Sequence, residues 1–148
     1  SVQTSRGKSR RIVEKIQEKC PIIWQGTIIG EPASKSNSRR IISRGKNSRI
    51  IKSKKALDYS SSMEQQLSIL CKDVDMLEGL LSIYFDVWYA SRRPDLDVEL
   101  LKDVMQGWVY KNDRQVREQH ARWHLDTEAP RCLIRVLMYE EGEMTLKL

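Results

Sequence analysis

No apolar run in this sequence approaches the ~20 residues that a membrane-spanning helix needs, and the N-terminus lacks the apolar stretch of a signal peptide. The chain has only three cysteines, Cys20, Cys71 and Cys132, which are widely spaced and odd in number. This pattern argues against a disulfide framework and against a zinc site of paired cysteines, and it is typical of reduced thiols. A glycine-rich phosphate loop, a nucleophile elbow and a Cys/His pair are also missing from the sequence. These absences predict a cytoplasmic protein with no membrane partner, and they exclude the enzyme classes that depend on those motifs.

Charge is divided unevenly along the 148 residues. Residues 1–55 hold 15 Lys and Arg against 3 Asp and Glu, a balance of +12, whereas the remainder holds 11 against 17, a balance of −6. A basic first third suits phosphate groups, and an acidic remainder suits a cation. A basic surface that is solvated and has no partner would explain the same counts.

The length and the 40% of hydrophobic residues suit one domain with its own core. We place this domain at residues 21–148, after a basic N-terminal extension at residues 1–20 that is partly disordered or forms a short helix. Residues 30–47 form a long basic loop, which in a compact domain is usually functional or disordered. Hydrophobic periodicity and the Ser53 N-cap predict strands at 22–29, 49–52, 80–89, 115–124 and 131–139 and helices at 53–72 and 98–105. The predicted class is α+β, a small mixed β-sheet with helices packed against it.

Two closely spaced acids follow the long strand, in the run Arg92-Arg93-Pro94-Asp95-Leu96-Asp97. In an extended segment Asp95 and Asp97 point to the same side, where their mutual repulsion favours a divalent cation such as Mg²⁺ or Mn²⁺. A strand-helix-strand path could return a third acid, Asp113, beside them. By itself Asp-x-Asp is also typical of a surface turn or a helix start.

Several segments, in order along the chain, resemble the RusA family of Holliday junction resolvases. Residues 87–97 carry a strand, a basic stretch and Asp-Leu-Asp, and residues 103–116 carry an Asp, a Gly and Asn-Asp-Arg-Gln-Val. Upstream, residues 30–37 look like the family's Pro-Ser-x-Asn loop, and residues 53–59 look like its helix opening. The resemblance covers about residues 22–138.

This resemblance implies a RusA-like, dimeric fold and a Mg²⁺-dependent endonuclease, often phage-encoded, that resolves four-way DNA junctions by paired cuts. Its location would be the cytoplasm of a bacterium or a phage-infected host, in association with branched DNA. Asp95, Asp97 and Asp113 match the family's metal-binding acids. Two positions depart from the family pattern, since Val98 replaces the usual Asn and Asn112 replaces the first Asp of the later pair.

Basic residues complete the predicted site. The family's catalytic Lys has no clean counterpart, and Lys102, one position late, is the nearest candidate. A solvated helix lysine is the alternative reading of Lys102. The residues predicted to bind backbone phosphates of DNA without reading bases are Lys35, Arg39, Arg40, Arg44, Lys46, Arg92, Arg93 and Arg122.

Other interpretations of the same residues stay open. A branched-DNA-binding protein without catalysis is the main rival, and the altered Val98 and Asn112 favour it. Pro94-Asp95 with Glu99 and Lys102 hints at a restriction-type nuclease, although the last two are one residue too far apart.

Two further groups of side chains are predicted to be structural. His120 and His124 lie about 13 Å apart on one strand face, too far to share a metal. The tryptophans, predicted to be core or dimer contacts, are Trp24, Trp88, Trp108 and Trp123.

Overall fold

The structure is a computed structural model that describes residues 21–34, 39–44 and 47–140. The predicted extension at residues 1–20 lies outside these ranges. The elements in chain order are β1 (Ile22–Ile29), β2 (Arg39–Arg44), β3 (Asn47–Lys52), α1 (Lys54–Leu70), β4 (Leu81–Tyr89), α2 (Glu99–Met105), β5 (Val116–Leu125) and β6 (Arg131–Met138). No helix in the described part of the chain has the length and apolarity needed to cross a membrane.

One four-stranded sheet, in the order β1-β6-β4-β5, organises the domain. β6 is antiparallel to both β1 and β4, whereas β5 is parallel to β4. A parallel neighbour requires a crossover connection, and α2 lies within it. The sheet is therefore mixed, and the predicted α+β class is confirmed.

The alternation seen in β4 separates the two faces of the sheet. Ile83, Phe85 and Val87 are fully or almost fully buried, while Tyr84 and Trp88, which alternate with them along the strand, are half-buried. The buried side chains share one core with apolar residues of both helices, including Met63 of α1. Both helices therefore pack on the same face of the sheet.

A Ser cap and a glutamine side chain explain where α1 begins and how it is attached to the sheet. The Ser53 hydroxyl accepts a hydrogen bond from the Ala56 amide at 3.3 Å, as the sequence predicts. Farther along, the Gln66 side chain donates to the Ile29 carbonyl and accepts from the Ile29 amide, at 3.0 and 2.7 Å. The Gln66 side chain thereby satisfies the hydrogen-bonding groups of the Ile29 backbone at the edge of β1, as a neighbouring strand would.

The prediction of a long basic loop at residues 30–47 is wrong in part. Within it lies β2, which forms an antiparallel hairpin with β3. Ile41 pairs with Ile50 and Arg40 with Ile51. Two isoleucines stand next to each other in the sequence on either side of a glycine. β-Branched residues favour strands, and a glycine between two strands favours a hairpin turn over an irregular loop. The predicted short strand at 49–52 is confirmed within β3. Residues 35–38 and 45–46 lie outside the described ranges, and with them the predicted Lys35 and Lys46.

The cysteines behave as the sequence predicts where the structure describes them. Cys71 and Cys132 are free thiols, and burial raises the pKa of each. Cys20 lies outside the described ranges.

Aromatic and histidine rings stack on the sheet face that is turned away from the helices. Tyr84 stacks on His120 with ring centroids 4.7 Å apart, and Trp88 stacks on His124 at 4.5 Å. The guanidinium of Arg131 lies over the Trp88 ring at 4.1 Å. The two histidines therefore have stacking partners on the sheet surface. His124 also contacts Asp86 at 2.8 Å.

Glu118 on β5 makes the stability of this face depend on pH. Its carboxylate contacts His120 at 2.9 Å and accepts from the buried Ser82 hydroxyl at 2.7 Å, and these bonds hold its pKa below the ordinary value. A lowered pKa in the folded state contributes stability above the unfolded-state pKa, and this contribution disappears as pH falls through the folded-state pKa.

We therefore expect the free energy of unfolding of wild type to fall more than that of Glu118→Gln between pH 7 and pH 3. Urea denaturation at several pH values measures the difference, with Glu128→Gln, an exposed residue of the β5–β6 turn, as the matched control. Parallel pH curves for wild type and Glu118→Gln would show that the carboxylate charge adds nothing.

Candidate active site

Two long-range hydrogen bonds position the loop that follows β4, residues 90–98, which carries the predicted acids. The Ala90 amide donates to the Glu31 carboxylate at 2.8 Å, and the Trp123 indole donates to the Pro94 carbonyl at 3.0 Å. Glu31 can reach Ala90 because Gly30, with a φ of 111°, turns the chain sharply at the end of β1. The loop is therefore tied to both β1 and β5.

Asp97 joins two parts of the sequence. One of its carboxylate oxygens accepts from the Ser34 hydroxyl at 2.9 Å, across 63 residues of chain. The other accepts from the Glu99 amide at 3.0 Å, and the Asp97 amide donates to the Tyr89 hydroxyl at 3.3 Å. The bond to Glu99 lies at the start of α2, where the N-cap residue Val98 offers no side-chain bond. Asp97 thus stabilises a helix start and also lies half-buried at the junction of the loops after β1 and β4.

Asp95 is exposed and lies beside a cavity of about 270 Å³. The cavity is formed where the loop after β1, the start of α1 and the loop after β4 meet. Its lining residues are Pro32, Ala33, Ser34, Ser53, Lys55, Tyr89, Arg93, Pro94 and Asp95. Ser34 lines the cavity and also bonds Asp97, so the cavity and the Asp97 carboxylate belong to one site.

Asp113 occupies a different element. It begins a short 3₁₀ turn just before β5, and its amide donates to the Gln106 side chain at 3.0 Å. Because β4 and β5 are parallel, Asp113 precedes β5 near the end of the sheet where β4 begins, whereas Asp95 and Asp97 follow the other end of β4. α2 lies between them in the chain, and convergence of Asp113 with the pair stays a prediction.

Two buried tyrosines have pKa values that burial and neighbouring carboxylates raise. Burial raises the pKa of Tyr89, and the neighbouring carboxylates of Asp97 and Glu31 raise it further, against the Asp97 amide bond that lowers it. Burial likewise raises the pKa of Tyr110, with added contributions from Asp113, Asp103 and Glu99. Both phenols therefore stay neutral at physiological pH, and each reports a separate group of acids.

Glu31 is the acid that sequence reasoning missed. Its carboxylate accepts from the Ala90 amide in the loop that carries Asp95 and Asp97, and like Asp97 it raises the pKa of Tyr89. Its position directly after Gly30 and before Pro32, in the family-like loop, was the available indication. Within residues 21–34, 39–44 and 47–140, no three His, Cys, Asp or Glu side chains are close enough together to hold a metal ion.

Lys102, the predicted catalytic lysine, pairs with Glu99 at 3.0 Å on the surface of α2 and is not a lining residue of the cavity. Glu99 and Lys102 are thus partners of each other. Arg92 and Arg93 are both exposed, and of the two only Arg93 lines the cavity.

The other predicted DNA-binding arginines lie elsewhere. Arg122 is opposite Asp86 in the parallel pair, on the sheet face turned away from the helices. Arg39, Arg40 and Arg44 belong to β2.

A four-stranded mixed sheet, an acid-bearing loop at the end of one of its two inner strands and a separate two-stranded hairpin together form a small α+β domain. The family model described as Endodeoxyribonuclease RusA matches residues 30–137, which is well over half of the chain. The chain therefore belongs to the RusA family of Holliday junction resolvases, as the resemblance predicts. A search of curated proteins found no match.

Proposed function

We propose that the chain acts as a homodimer that cuts four-way DNA junctions in pairs by divalent-cation-dependent phosphodiester hydrolysis. The observation that carries this proposal is the Ser34–Asp97 hydrogen bond of 2.9 Å, which brings the loop after β1 against the acid-bearing loop. Both loops lie within the family match. Beside that bond, the cavity leaves Asp95 open to an incoming phosphate.

The donor chemistry at Asp95 and Asp97 fits Mg²⁺ or Mn²⁺. Protein sites for Mg²⁺ commonly use one or two carboxylates and take their other ligands from water and substrate phosphates. A carboxylate has about four acceptor positions, so Asp97 can accept from Ser34 and Glu99 and also ligate a cation. When bound, such a cation supplies Lewis acidity that makes water a better nucleophile and offsets phosphate charge. Asp113 is proposed as the third acid on the strength of the family pattern.

The protein groups around the acids have positioning roles. Ser34 and Tyr89 hold Asp97, and Trp123 holds the loop through Pro94, so the carboxylates keep their positions before DNA arrives. Preorganisation of this kind avoids rearrangement during the reaction. Arg93 lines the same cavity as Asp95, and its proposed role is to contact a phosphate oxygen.

The β2–β3 hairpin is proposed as the DNA-backbone contact. Its two strands carry Arg39, Arg40, Arg44, Arg49 and Lys52 within 14 residues of chain and contain no acid. A two-stranded ribbon with one sign of charge suits phosphate contacts that position DNA without specifying its sequence.

The dependence of junction affinity on salt tests this role of the hairpin. If the hairpin neutralises phosphates, binding releases counterions, and the slope of log affinity against log salt falls by about one for each phosphate that a variant no longer neutralises. We expect Arg39→Ala with Arg40→Ala to reduce the slope by about two. Fluorescence anisotropy with a labelled junction in Ca²⁺, at salt concentrations from about 50 mM to about 200 mM, measures it.

Lys72→Ala with Lys111→Ala is the matched control, because both lysines are exposed and lie outside the hairpin. The control should keep the wild-type slope. A wild-type slope in the hairpin variant would mean that these arginines are only solvated.

A four-way junction labelled on each strand separates the endonuclease from a protein that only binds branched DNA. The proposed enzyme nicks opposing strands when Mg²⁺ or Mn²⁺ is added and leaves the junction intact in EDTA. A retarded but uncut junction in both metals would reject catalysis and favour the binding protein.

A further inference from the structure

The cavity beside Asp95 brings basic and acidic side chains together, and Asp97 adjoins it through Ser34. Among the side chains that line it, Lys55 and Arg93 are cationic and Asp95 is anionic. These three come from two separate segments, the start of α1 and the loop after β4. With Asp97, the site joins two cations to two carboxylates, which suits an anion that shares a divalent cation with those carboxylates.

Lys55 has no charged partner among the described residues that accounts for its position. In the described ranges it forms no ion pair, and its side chain is exposed at the cavity. Lys102 differs, because its ammonium is already paired with Glu99 at 3.0 Å. Among the residues that the structure describes, Lys55 is therefore the lysine whose charge is available to a ligand in this cavity.

The position of Lys55 in α1 is also unfavourable for the helix. It lies in the first turn, next to Lys54, and this turn contains no acidic residue. Positive side chains at a helix start oppose the helix dipole, and acidic residues are the stabilising choice there. Residues that break a local rule of this kind are frequently kept for function.

We propose that Lys55 contacts the scissile phosphodiester in this cavity and stabilises its charge as the bond breaks. The inference rests on the proposed endonuclease function. In the hydrolysis, the oxygen of water bonds to phosphorus, one P–O ester bond breaks, and the proton lost by water is balanced by the proton that the leaving oxygen gains. Lys55 neither gains nor loses a proton in this step and acts by its charge, beside Arg93 and opposite Asp95.

Single-turnover cutting of a four-way junction by the full chain, at saturating protein in Mg²⁺, tests the contact. Loss of one charge-stabilising donor typically lowers the chemical rate by about 100-fold or more. We expect Lys55→Gln to show a loss of this order, with a junction affinity in Ca²⁺ close to that of wild type, while Lys55→Arg recovers part of the rate. Lys54→Gln is the matched control, since it is the adjacent exposed lysine of the same turn and does not line the cavity. Lys102→Gln should cut much faster than Lys55→Gln.

Each alternative outcome is decisive. A wild-type cutting rate in Lys55→Gln would overturn the contact between Lys55 and the scissile phosphodiester but not the proposed endonuclease function. A variant that loses junction affinity and keeps the wild-type rate would overturn the contact in the same way. If wild type binds the junction but never cuts, the proposed function fails by itself.

If wild type binds but does not cut, the contact between Lys55 and the junction is tested by NMR of protein whose lysines carry ¹³C-methyl groups. The Lys55 signal is the one that is missing from the spectrum of Lys55→Arg. A shift of the Lys55 signal, but not of the Lys54 signal, on adding junction in Ca²⁺ supports the contact. An unmoved Lys55 signal overturns it. The same measurement replaces the kinetic one if Lys55→Gln does not fold.

Discussion

Replacing Asp97 with Asn is expected to abolish junction cutting and to leave junction binding intact. Asn keeps the size of the side chain and one carbonyl oxygen for the Glu99 amide, and its NH₂ group can donate to the Ser34 hydroxyl that now donates to Asp97. The fold around the two loops is therefore preserved. The lost negative charge is what a divalent cation needs, and cation stabilisation is worth several kcal/mol in the transition state. The rate should fall about a thousandfold or more, at about 1.4 kcal/mol per factor of ten.

Gel assays of single-turnover cutting in Mg²⁺, alongside anisotropy binding in Ca²⁺, measure the two effects separately. Asp73→Asn is the control, because Asp73 is an exposed acid in the segment that follows α1. Should Asp97→Asn lose binding together with cutting, its carboxylate would have a structural role at the start of α2 instead.

Mixing wild type with Asp97→Asn is expected to convert resolution into single nicks. A four-way junction offers two equivalent strands, and a two-fold dimer presents one site to each. If subunits exchange freely at equal concentrations, roughly a quarter of dimers keep two intact sites and about half keep one. A cruciform plasmid reports this directly, because paired cuts give linear DNA and a single cut gives a nicked circle.

Sedimentation at micromolar concentration should give about twice the 17.3 kDa chain mass. A monomer that still linearises the plasmid within one binding event would refute the symmetric mechanism.

The tryptophans support an interface less than the sequence suggested. Trp24 is buried, Trp108 and Trp123 pack against the core, and only Trp88 of the four lies on the outer sheet face. The dimer is therefore proposed from the symmetry of the substrate and from the family.

The sequence by itself determined most of the secondary structure, because the periods of strands and helices are local properties of the chain. Alternation in 81–89 predicted β4 and its buried face, and Ser53 predicted the start of α1. The β2–β3 hairpin was missed because a basic, serine-rich composition outweighed the two Ile-Ile pairs. The family, too, was recognised from the order of short motifs, which the match over residues 30–137 confirms.

Only the tertiary structure decided which distant residues meet. Ser34 reaches Asp97, Glu31 reaches Ala90, and Lys55 enters the cavity of Asp95, although none of these pairs shares a local pattern. Their proximity comes from the order of strands in the sheet, which places the end of β1 near the end of β4, and from the packing of α1 across them. Sheet order depends on how long-range pairs bury apolar area together, and such pairing leaves no period in the sequence. For the same reason, the count along the family pattern pointed to Lys102, whereas in the folded chain Lys55 is the lysine that lines the cavity with Asp95.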